Sequence, residues 1–390
     1  MKPIKVLTVG HSYIVALNRA VMAKVAADPG IDLTVVAPRF FHGDLRKITL
    51  EIPETPPYRL VGLPAYGTRS THMFSYRGLM PVVRSGSFDL LHAWEEPFVV
   101  AGYQTARVAH ACGVRYVFWT AQNLPKRYPP PFSYFERYCL KHACGWIAGG
   151  HTVQQALLAR GYPRTLAEIV THHVDEERFR PDPAAGAEVR RRLGLKGLVV
   201  GYSGRLTKEK GMELLMAALE GVPGEWSLLA VGAGPYEAKL KEWAESRGWS
   251  DRLRIVLVKH DEVPSHLQAM DLIVVPSQST PRWMEQFGRV VIEAFACGIP
   301  LIASDSGEVP YVVGDGGMVV PESDVNAWTE AIAGLLQSPD RRRELAAAGY
   351  ARCERHYFTQ RVADDTINYY RKVMDTPAPA RGRAAMHAGA

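Results

Sequence analysis

Short apolar runs rich in β-branched residues alternate with longer helical stretches along both halves of the chain. In the first half, this pattern predicts strands at residues 5–9, 33–37, 90–93, 116–120 and 145–148. In the second half, it predicts strands at residues 199–203, 227–231, 254–258, 272–276 and 301–304. Strands separated by helices imply right-handed βαβ crossovers and parallel sheets. The pattern therefore predicts an α/β protein whose ligands bind beyond the carboxyl ends of the strands.

The chain has 390 residues, which is too long for one ordinary core and fits two α/β domains. Proline and glycine concentrate at 179–186, where no periodicity continues. We therefore predict an N-terminal domain over 1–180 and a C-terminal domain over 181–356. A helical pattern at 361–374 predicts a last helix within 357–375, and the Pro-, Arg- and Ala-rich end predicts a disordered tail over 376–390.

Two carboxylates, Glu285 and Glu293, bracket Gly288 and the start of a predicted helix. The first N–H groups of a helix lack intrahelical partners and the helix dipole adds positive potential, so this end attracts anions. Gly288 has no Cβ, so a ligand can approach the backbone closely there. A solvated acidic loop before an amphipathic helix explains one such segment equally well.

A glycine turn with two cations, Arg205 and Lys210, follows the predicted strand at 199–203 and precedes a predicted helix at 212–219. A strand, a glycine turn and cations before a helix form a phosphate-binding arrangement. Arginine suits bidentate contact with phosphate oxygens, and lysine adds a compact charge. The spacing is not that of a P-loop. A solvated basic loop remains the alternative for this segment alone.

Together, these segments resemble the retaining nucleotide-sugar glycosyltransferases of family 4, the glycosyl transferases group 1. The Gly-Arg-Leu-x-x-Glu-Lys-Gly element stands at 204–211, and the Glu-x-Phe-Gly-x-x-x-x-Glu-Ala element stands at 285–294. The match is dense in the second half and loose in the first. The resemblance implies the GT-B fold, with two Rossmann-like doubly wound parallel-sheet domains facing a central cleft. It also implies that the first domain binds the acceptor, that the second binds the nucleotide sugar, and that the last helix crosses back to the first domain.

The resemblance further implies metal-independent transfer of a sugar, with retention, from a UDP- or GDP-sugar to an acceptor hydroxyl in polysaccharide or lipid-linked glycan assembly. Arg205 and Lys210 would stabilise the leaving diphosphate, and Glu285 would orient hydroxyls of the donor sugar. These three are the predicted catalytic residues. The predicted donor-binding residues are Glu293, which would accept hydrogen bonds from the ribose, and Phe287, Gly288, Arg289, Val290 and Gly204.

The acceptor side departs from the family pattern, because the glycine-rich loop usual after its first strand is replaced by Gly-His-Ser-Tyr at 10–13. His11 and Ser12 nevertheless follow a strand and are acceptor-binding candidates. Asn123, also after a strand end, is the third candidate. Relatives carry a histidine near this position that contacts the donor sugar, and we do not transfer that role to Asn123.

Composition bears on compartment and partners. Five cysteines without Cys-x-x-Cys spacing, no signal-peptide pattern and no bilayer-length apolar run predict a cytoplasmic protein. Residues 1–180 hold 21 Lys or Arg and 13 Asp or Glu, a net charge of +8. This excess is compatible with peripheral contact to anionic lipids on the inner membrane face, or with an acidic acceptor, and equally with an ordinary solubilising surface. No basic-aromatic motif indicates nucleic-acid binding.

We expect neither a cofactor nor a metal, because the nucleotide sugar is a substrate and no Asp-x-Asp motif of the metal-dependent GT-A type occurs. Two alternatives remain open at this point. One is a GT-B relative of another reaction type, either a nucleotide-sugar epimerase or a phosphorylase. The other is a catalytically silent saccharide-binding protein.

Overall fold

The structure is a computed structural model that describes residues 2–42 and 47–377. The chain forms two compact units. The N-terminal unit ends at Thr171 and resumes at Val362, and the C-terminal unit runs from His172 to Arg361. Apart from its first two residues, the predicted disordered tail at 376–390 lies outside the described residues.

The described part of the N-terminal unit contains a seven-stranded parallel sheet in the order β11-β10-β9-β8-β1-β2-β5 and two antiparallel hairpins, β3-β4 and β6-β7. The strands are β1 (Ile4–Val9), β2 (Ile31–Pro38), β3 (Phe40–His42), β4 (Lys47–Thr49), β5 (Arg59–Leu63), β6 (Ala65–Tyr66), β7 (Ser75–Tyr76), β8 (Leu90–Ala93), β9 (Arg115–Thr120), β10 (Gly145–Ala148) and β11 (Ala167–Ile169). The helices are α1 (Ala20–Ala26), α2 (Leu79–Gly86), α3 (Val100–Cys112), α4 (Phe132–His142) and α5 (His151–Ala159), with 3₁₀ turns at His11–Ile14 and Ala16–Arg19.

The described part of the C-terminal unit contains a six-stranded parallel sheet in the order β14-β13-β12-β15-β16-β17. Its strands are β12 (Leu198–Ser203), β13 (Trp226–Val231), β14 (Leu253–Val256), β15 (Leu272–Val275), β16 (Leu301–Ser304) and β17 (Met318–Val320). Its helices are α6 (Pro183–Leu193), α7 (Met212–Glu220), α8 (Glu237–Ser246), α9 (Val263–Leu267), α10 (Arg289–Ala296), α11 (Val309–Val313), α12 (Val325–Gln337) and α13 (Pro339–His356), with 3₁₀ turns at Lys208–Lys210 and His260–Glu262.

Both sheets are buried on their two faces, as parallel sheets with crossover helices must be. Successive side chains of a strand point to opposite faces, so Val199 and Val200 of β12 pack into two different hydrophobic clusters. The strand order of each sheet reverses beside its first strand, which is the doubly wound arrangement predicted from the sequence.

The segment at 179–186, predicted as a domain boundary, lies inside the C-terminal unit. Asp182 caps α6 by accepting a hydrogen bond from the Ala185 N–H at 3.0 Å, and Pro183 occupies the first turn. A Cβ on Gly186 would lie 2.2 Å from the Gln268 carbonyl oxygen. Proline and glycine here mark the start of α6 and its close contact with the carbonyl of Gln268. The C-terminal unit begins earlier, at His172.

The last helix, α14 (Thr359–Met374), begins in the C-terminal unit and belongs to the N-terminal unit from Val362 onwards. In the N-terminal unit, Tyr369, Tyr370 and Val373 are buried in one hydrophobic cluster. The Tyr370 hydroxyl also lies 2.8 Å from His92 Nδ1, whose residue is on β8. This packing accounts for the apolar stripe of the predicted helix.

Candidate active site

The carboxyl ends of β12 and β15 are the point where the strand order of the C-terminal sheet reverses, and open α/β sheets bind ligands there. A cavity of about 310 Å³ opens at this point. The predicted catalytic and donor-binding residues that line it are Gly204, Arg205, Lys210, Glu285, Gly288, Arg289, Val290 and Glu293. Residues more than eighty positions apart in sequence therefore share one cavity.

An ion pair between Lys210 and Glu285 lies at the wall of this cavity. Lys210 Nζ is 2.5 Å from Glu285 Oε2, and the Ser277 hydroxyl donates to the same oxygen at 2.9 Å. Glu285 is 8% exposed, so its charge depends on these donors for compensation. Sequence reasoning missed Ser277, although it lies only two residues after β15, the strand that precedes the glutamate.

The close approach of two loops brings Lys210 to this carboxylate. Gly211 has φ of +75°, and a Cβ there would lie 1.7 Å from the carbonyl oxygen of Pro276, just beyond β15. Only glycine permits this conformation and this distance together. The glycine that ends the Gly-Arg-Leu motif thus places Lys210 against the end of β15.

The N-terminus of α10 opens into the same cavity. Gly288 is the N-cap residue of α10 and lies in the left-handed region, with φ of +80° and ψ of 62°. Among the described residues, no side chain makes a capping hydrogen bond to the first N–H groups of the helix. Uncapped N–H groups and the helix dipole favour an anion at this end. Arg289, exposed at the first helical position, adds a cation. The arrangement suits a phosphate group.

Glu293 lies half-buried one turn further along α10. Burial raises the pKa of its carboxyl, and the charges of Arg289 and Arg178 oppose that rise. Arg178 also donates a hydrogen bond to the backbone carbonyl of His260, a residue that lines the cavity. Sequence reasoning missed Arg178, because it lies just before the segment assigned to the domain boundary, far from Glu293 in sequence.

Phe287 was predicted to line the donor pocket, but the structure places it in the hydrophobic core. It is 3% exposed, and its ring centroid lies 4.9 Å from the ring of His172 and 6.0 Å from that of Tyr357. Burial, with the nearby charge of Arg289, lowers the pKa of His172 to about 3, so this histidine stays neutral. Phe287 therefore supports the loop between Glu285 and Gly288 from the core side.

In the N-terminal unit, His11 lies at the corresponding reversal point, between the ends of β1 and β8. Its Nδ1 is 2.7 Å from Glu95 Oε2, and its backbone N–H donates to Glu95 Oε1 at 2.6 Å. Tyr76 donates to Oε1 at 2.9 Å. Burial lowers the pKa of His11, but the charge of Glu95 and the hydrogen bond to it outweigh burial and raise the pKa overall. Glu95 is the residue that sequence reasoning missed here.

The other two acceptor candidates are more enclosed. The Ser12 hydroxyl is buried and has no hydrogen-bond partner among the described residues. Asn123 is 4% exposed in the loop that follows β9. His11 is thus the most accessible of the three candidates, with its side chain 32% exposed.

Comparison with known proteins identifies the domain that carries the cavity. Residues 188–352, which include both motifs and both glutamates, match the sequence profile of the glycosyl transferases group 1. This segment is a group 1 glycosyltransferase domain. Both motifs contribute residues that line the cavity.

Curated relatives match the chain mainly over this half. The GDP-mannose-dependent alpha-(1-6)-phosphatidylinositol monomannoside mannosyltransferase of Mycobacterium tuberculosis is 37% identical over 197 residues, which are 48% of this chain and 51% of the relative. The lipopolysaccharide core biosynthesis mannosyltransferase LpsB of Rhizobium meliloti is 30% identical over 220 residues, 53% of this chain and 61% of the relative. The chain thus spans about half the length of the first of these relatives.

Solved structures resemble the chain over nearly all its length. HepE of Anabaena, crystallised with UDP, has a TM-score of 0.73 at 19% identity and covers 95% of this chain and 100% of its own. A glycosyltransferase from Rickettsia africae has a TM-score of 0.76 at 14% identity, with 97% and 100% covered. The likeness extends beyond the group 1 domain to nearly the whole chain. The chain therefore has the GT-B fold, with two Rossmann-like parallel-sheet domains.

Two further observations concern metals and membranes. Within residues 2–42 and 47–377, no three His, Cys, Asp or Glu side chains are grouped so that they could hold a metal ion. Among the helices of the same residues, none is long and apolar enough to cross a bilayer. The adjacent His172 and His173 contact different partners, the ring of Phe287 and the Thr359 hydroxyl.

Proposed function

We propose that the chain is a retaining glycosyltransferase that moves a sugar from a nucleoside diphosphate sugar to an acceptor hydroxyl. One observation carries this proposal. The Lys210–Glu285 ion pair, the uncapped start of α10 and Glu293 line a single cavity of the group 1 domain. That set offers cations and N–H donors for phosphates, together with two separate carboxylates for hydroxyl groups.

Departure of the diphosphate is the first chemical demand on the site, because negative charge develops on its oxygens as the bond to the sugar breaks. Lys210 and Arg205 stabilise that charge, together with the first N–H groups of α10. Arg205 is largely exposed and bonded only loosely to Glu209 at 3.7 Å, so it is able to turn toward a phosphate. Removing one such donor in other enzymes costs about 3 kcal/mol in transition-state stabilisation.

Two carboxylates then fix the uncharged parts of the donor. Glu285 accepts hydrogen bonds from hydroxyl groups of the sugar and stabilises the positive charge that develops at the anomeric centre. Glu293 accepts hydrogen bonds from the ribose. Burial raises the pKa of the Glu293 carboxyl, and the neighbouring charges of Arg289 and Arg178 oppose that rise. Because the two glutamates serve different ends of one donor, they do not form the acid and nucleophile pair of a glycosidase.

We propose that no metal takes part, because Arg205, Lys210 and the N-terminus of α10 compensate the negative charge of the diphosphate. Retention follows if the acceptor attacks from the face that the diphosphate leaves, with the leaving oxygen taking the acceptor's proton. We propose that the acceptor is held by the N-terminal unit, where His11 and Glu95 lie at the reversal point of the sheet.

Two relatives bear on the substrates and suggest polysaccharide or lipid-linked glycan assembly. The mycobacterial relative is GDP-mannose-dependent and acts on a phosphatidylinositol monomannoside, and the LpsB relative belongs to lipopolysaccharide core biosynthesis. We therefore propose a GDP- or UDP-sugar as donor, GDP-mannose first, and a lipid-linked saccharide as acceptor. Five free cysteines are consistent with a reducing, cytoplasmic location, from which the protein would meet such an acceptor at the inner membrane face.

Binding of the free nucleotides tests the proposal. Purified protein is titrated calorimetrically with UDP and GDP in the presence of EDTA, and then with Mg²⁺ added. We expect one nucleotide to bind at micromolar concentration, to raise the melting temperature, and to do so equally in EDTA and in Mg²⁺. Absence of binding by both nucleotides would overturn the proposed donor site, and binding that requires Mg²⁺ would overturn metal independence.

A further inference from the structure

Trp283 lies two residues before Glu285, in the loop that joins β15 to α10. The centroid of its ring is 5.1 Å from Lys210 Nζ, within the range of a cation–π interaction. The same ammonium is 2.5 Å from Glu285 Oε2. The Lys210 ammonium is therefore in contact with both an aromatic ring and a carboxylate.

The loop that carries the indole is tied together by backbone hydrogen bonds. The Thr280 N–H donates to the Trp283 carbonyl at 2.7 Å, and the Trp283 N–H donates back to the Thr280 carbonyl at 3.3 Å. The Ser279 N–H donates to Glu322 Oε2 at 2.6 Å, which fixes the start of the loop. The half-buried indole is thus presented to Lys210 by a constrained loop.

The Gly-Arg-Leu motif and the loop are also joined directly. The Gln278 N–H donates to the carbonyl of Glu209, the residue before Lys210, at 2.9 Å. The segments that carry the ring and the ammonium therefore keep their spacing. Trp283 is not among the residues that line the cavity, whereas Lys210 is, so an effect of the indole on a ligand would pass through the lysine.

We propose that Trp283 is a positioning residue that holds the Lys210 ammonium at the cavity wall, ready for the donor diphosphate. This inference rests on the proposed function. A diphosphate that takes Lys210 must displace the Glu285 carboxylate from it, which frees that carboxylate for the sugar. The face of the indole keeps its attraction for the ammonium during this exchange, because a cation–π contact does not use the N–H donors of the lysine. Trp283 therefore keeps Lys210 in place while the lysine pairs with Glu285 before the donor binds and with the phosphates afterwards.

The test measures the affinity of UDP and GDP by calorimetry in Trp283→Leu and Trp283→Phe. We expect Trp283→Leu to weaken binding about threefold to thirtyfold, the range that a cation–π contact supplies, and Trp283→Phe to stay within about threefold of the wild type. Trp243→Leu is the matched control. Trp243 is also half-buried in the C-terminal unit, but its indole N–H donates to Glu220 at 3.0 Å and it is not a residue of the cavity lining. If Trp283→Leu does not fold, Trp283→Gln replaces it with the same expectation.

A double-mutant comparison separates positioning from general damage. In a Lys210→Met background, we expect Trp283→Leu to weaken nucleotide binding no further, because the group through which it acts is gone. The inference is overturned if the two substitutions weaken binding additively, or if Trp283→Leu binds like the wild type. It is also overturned if Trp283→Phe binds as weakly as Trp283→Leu. Failure of the wild-type protein to bind either nucleotide would instead overturn the proposed function.

Discussion

Replacing Glu285 with glutamine separates the sugar end of the proposed donor site from its phosphate end. In the structure, the Glu285 Oε2 atom receives hydrogen bonds from Lys210 at 2.5 Å and from Ser277 at 2.9 Å. A hydrogen bond to a charged group contributes about 1.5 to 3 kcal/mol. A diphosphate that binds Lys210 must replace the hydrogen bond between Lys210 and Glu285, and so must offset this contribution. The amide oxygen of Glu285→Gln still accepts from both donors, but it competes less strongly for the ammonium.

We therefore expect Glu285→Gln to bind UDP or GDP as tightly as the wild type or more tightly. Cleavage of the nucleotide sugar should fall at least about a hundredfold, equivalent to about 2.7 kcal/mol, because the carboxylate at the cationic centre is lost. In contrast, Lys210→Met should weaken the binding of UDP or GDP about tenfold to a hundredfold.

The assays are calorimetry for binding and release of nucleoside diphosphate for turnover. Glu209→Gln is the control, because Glu209 also lies beside a site cation, Arg205, but does not line the cavity. The reasoning fails if Glu285→Gln loses nucleotide affinity as Lys210→Met does while its turnover stays at the wild-type level.

Three further predictions follow from the described contacts. Arg205→Ala should weaken UDP or GDP binding about tenfold in calorimetry and change unfolding by urea by less than about 0.5 kcal/mol, because the side chain is 66% exposed; a large loss of stability with unchanged binding would contradict this. Gly211→Ala should destabilise the protein by about 3 kcal/mol or more in urea, because its Cβ would lie 1.7 Å from the Pro276 carbonyl oxygen at φ of +75°; wild-type stability would refute the close approach. Burial, partly offset by hydrogen bonds from Thr120 and Ala121, raises the pKa of Glu96 from 4.5 to about 7. The protonated Glu96 carboxyl therefore contributes stability to the fold below pH 4.5, and this contribution is lost as the pH rises through 7. Glu96→Gln should therefore raise the melting temperature at pH 8.5, by the equivalent of about 3 kcal/mol, more than at pH 4.5; an equal change at both pH values would argue against it.

Much of the fold could be predicted because the buried strands have strong local signals. The strands at Leu90–Ala93, Gly145–Ala148 and Leu301–Ser304 begin and end where the apolar pattern does. The short strands Ala167–Ile169 and Met318–Val320 were missed, since they lie at sheet edges and have few residues to show a pattern. Edge strands depend on a partner strand that is distant in sequence.

The candidate site was predictable where it rests on backbone requirements. Gly211 and Gly288 both have positive φ in the structure, and each stands at a position where the motif requires glycine. Partners contributed by other segments were not predictable, because nothing local marks them. Glu95 is recognised only when β1 and β8 become neighbours, and Arg178 only when its segment joins the C-terminal unit. Phe287 was assigned to the pocket because the motif does not distinguish a side chain that points into the core from one that faces a ligand.

The most direct measurement of the central claim is proton NMR of the product formed from α-linked GDP-mannose and UDP-glucose with methanol as a small acceptor. Methyl glycosides do not interconvert in water, so their anomeric configuration records the face of attack. The account predicts slow release of nucleoside diphosphate with one donor and formation of the methyl α-glycoside, which Glu285→Gln should abolish. A methyl β-glycoside would contradict retention, and an equal rate in Glu285→Gln would contradict the role of the Lys210–Glu285 site.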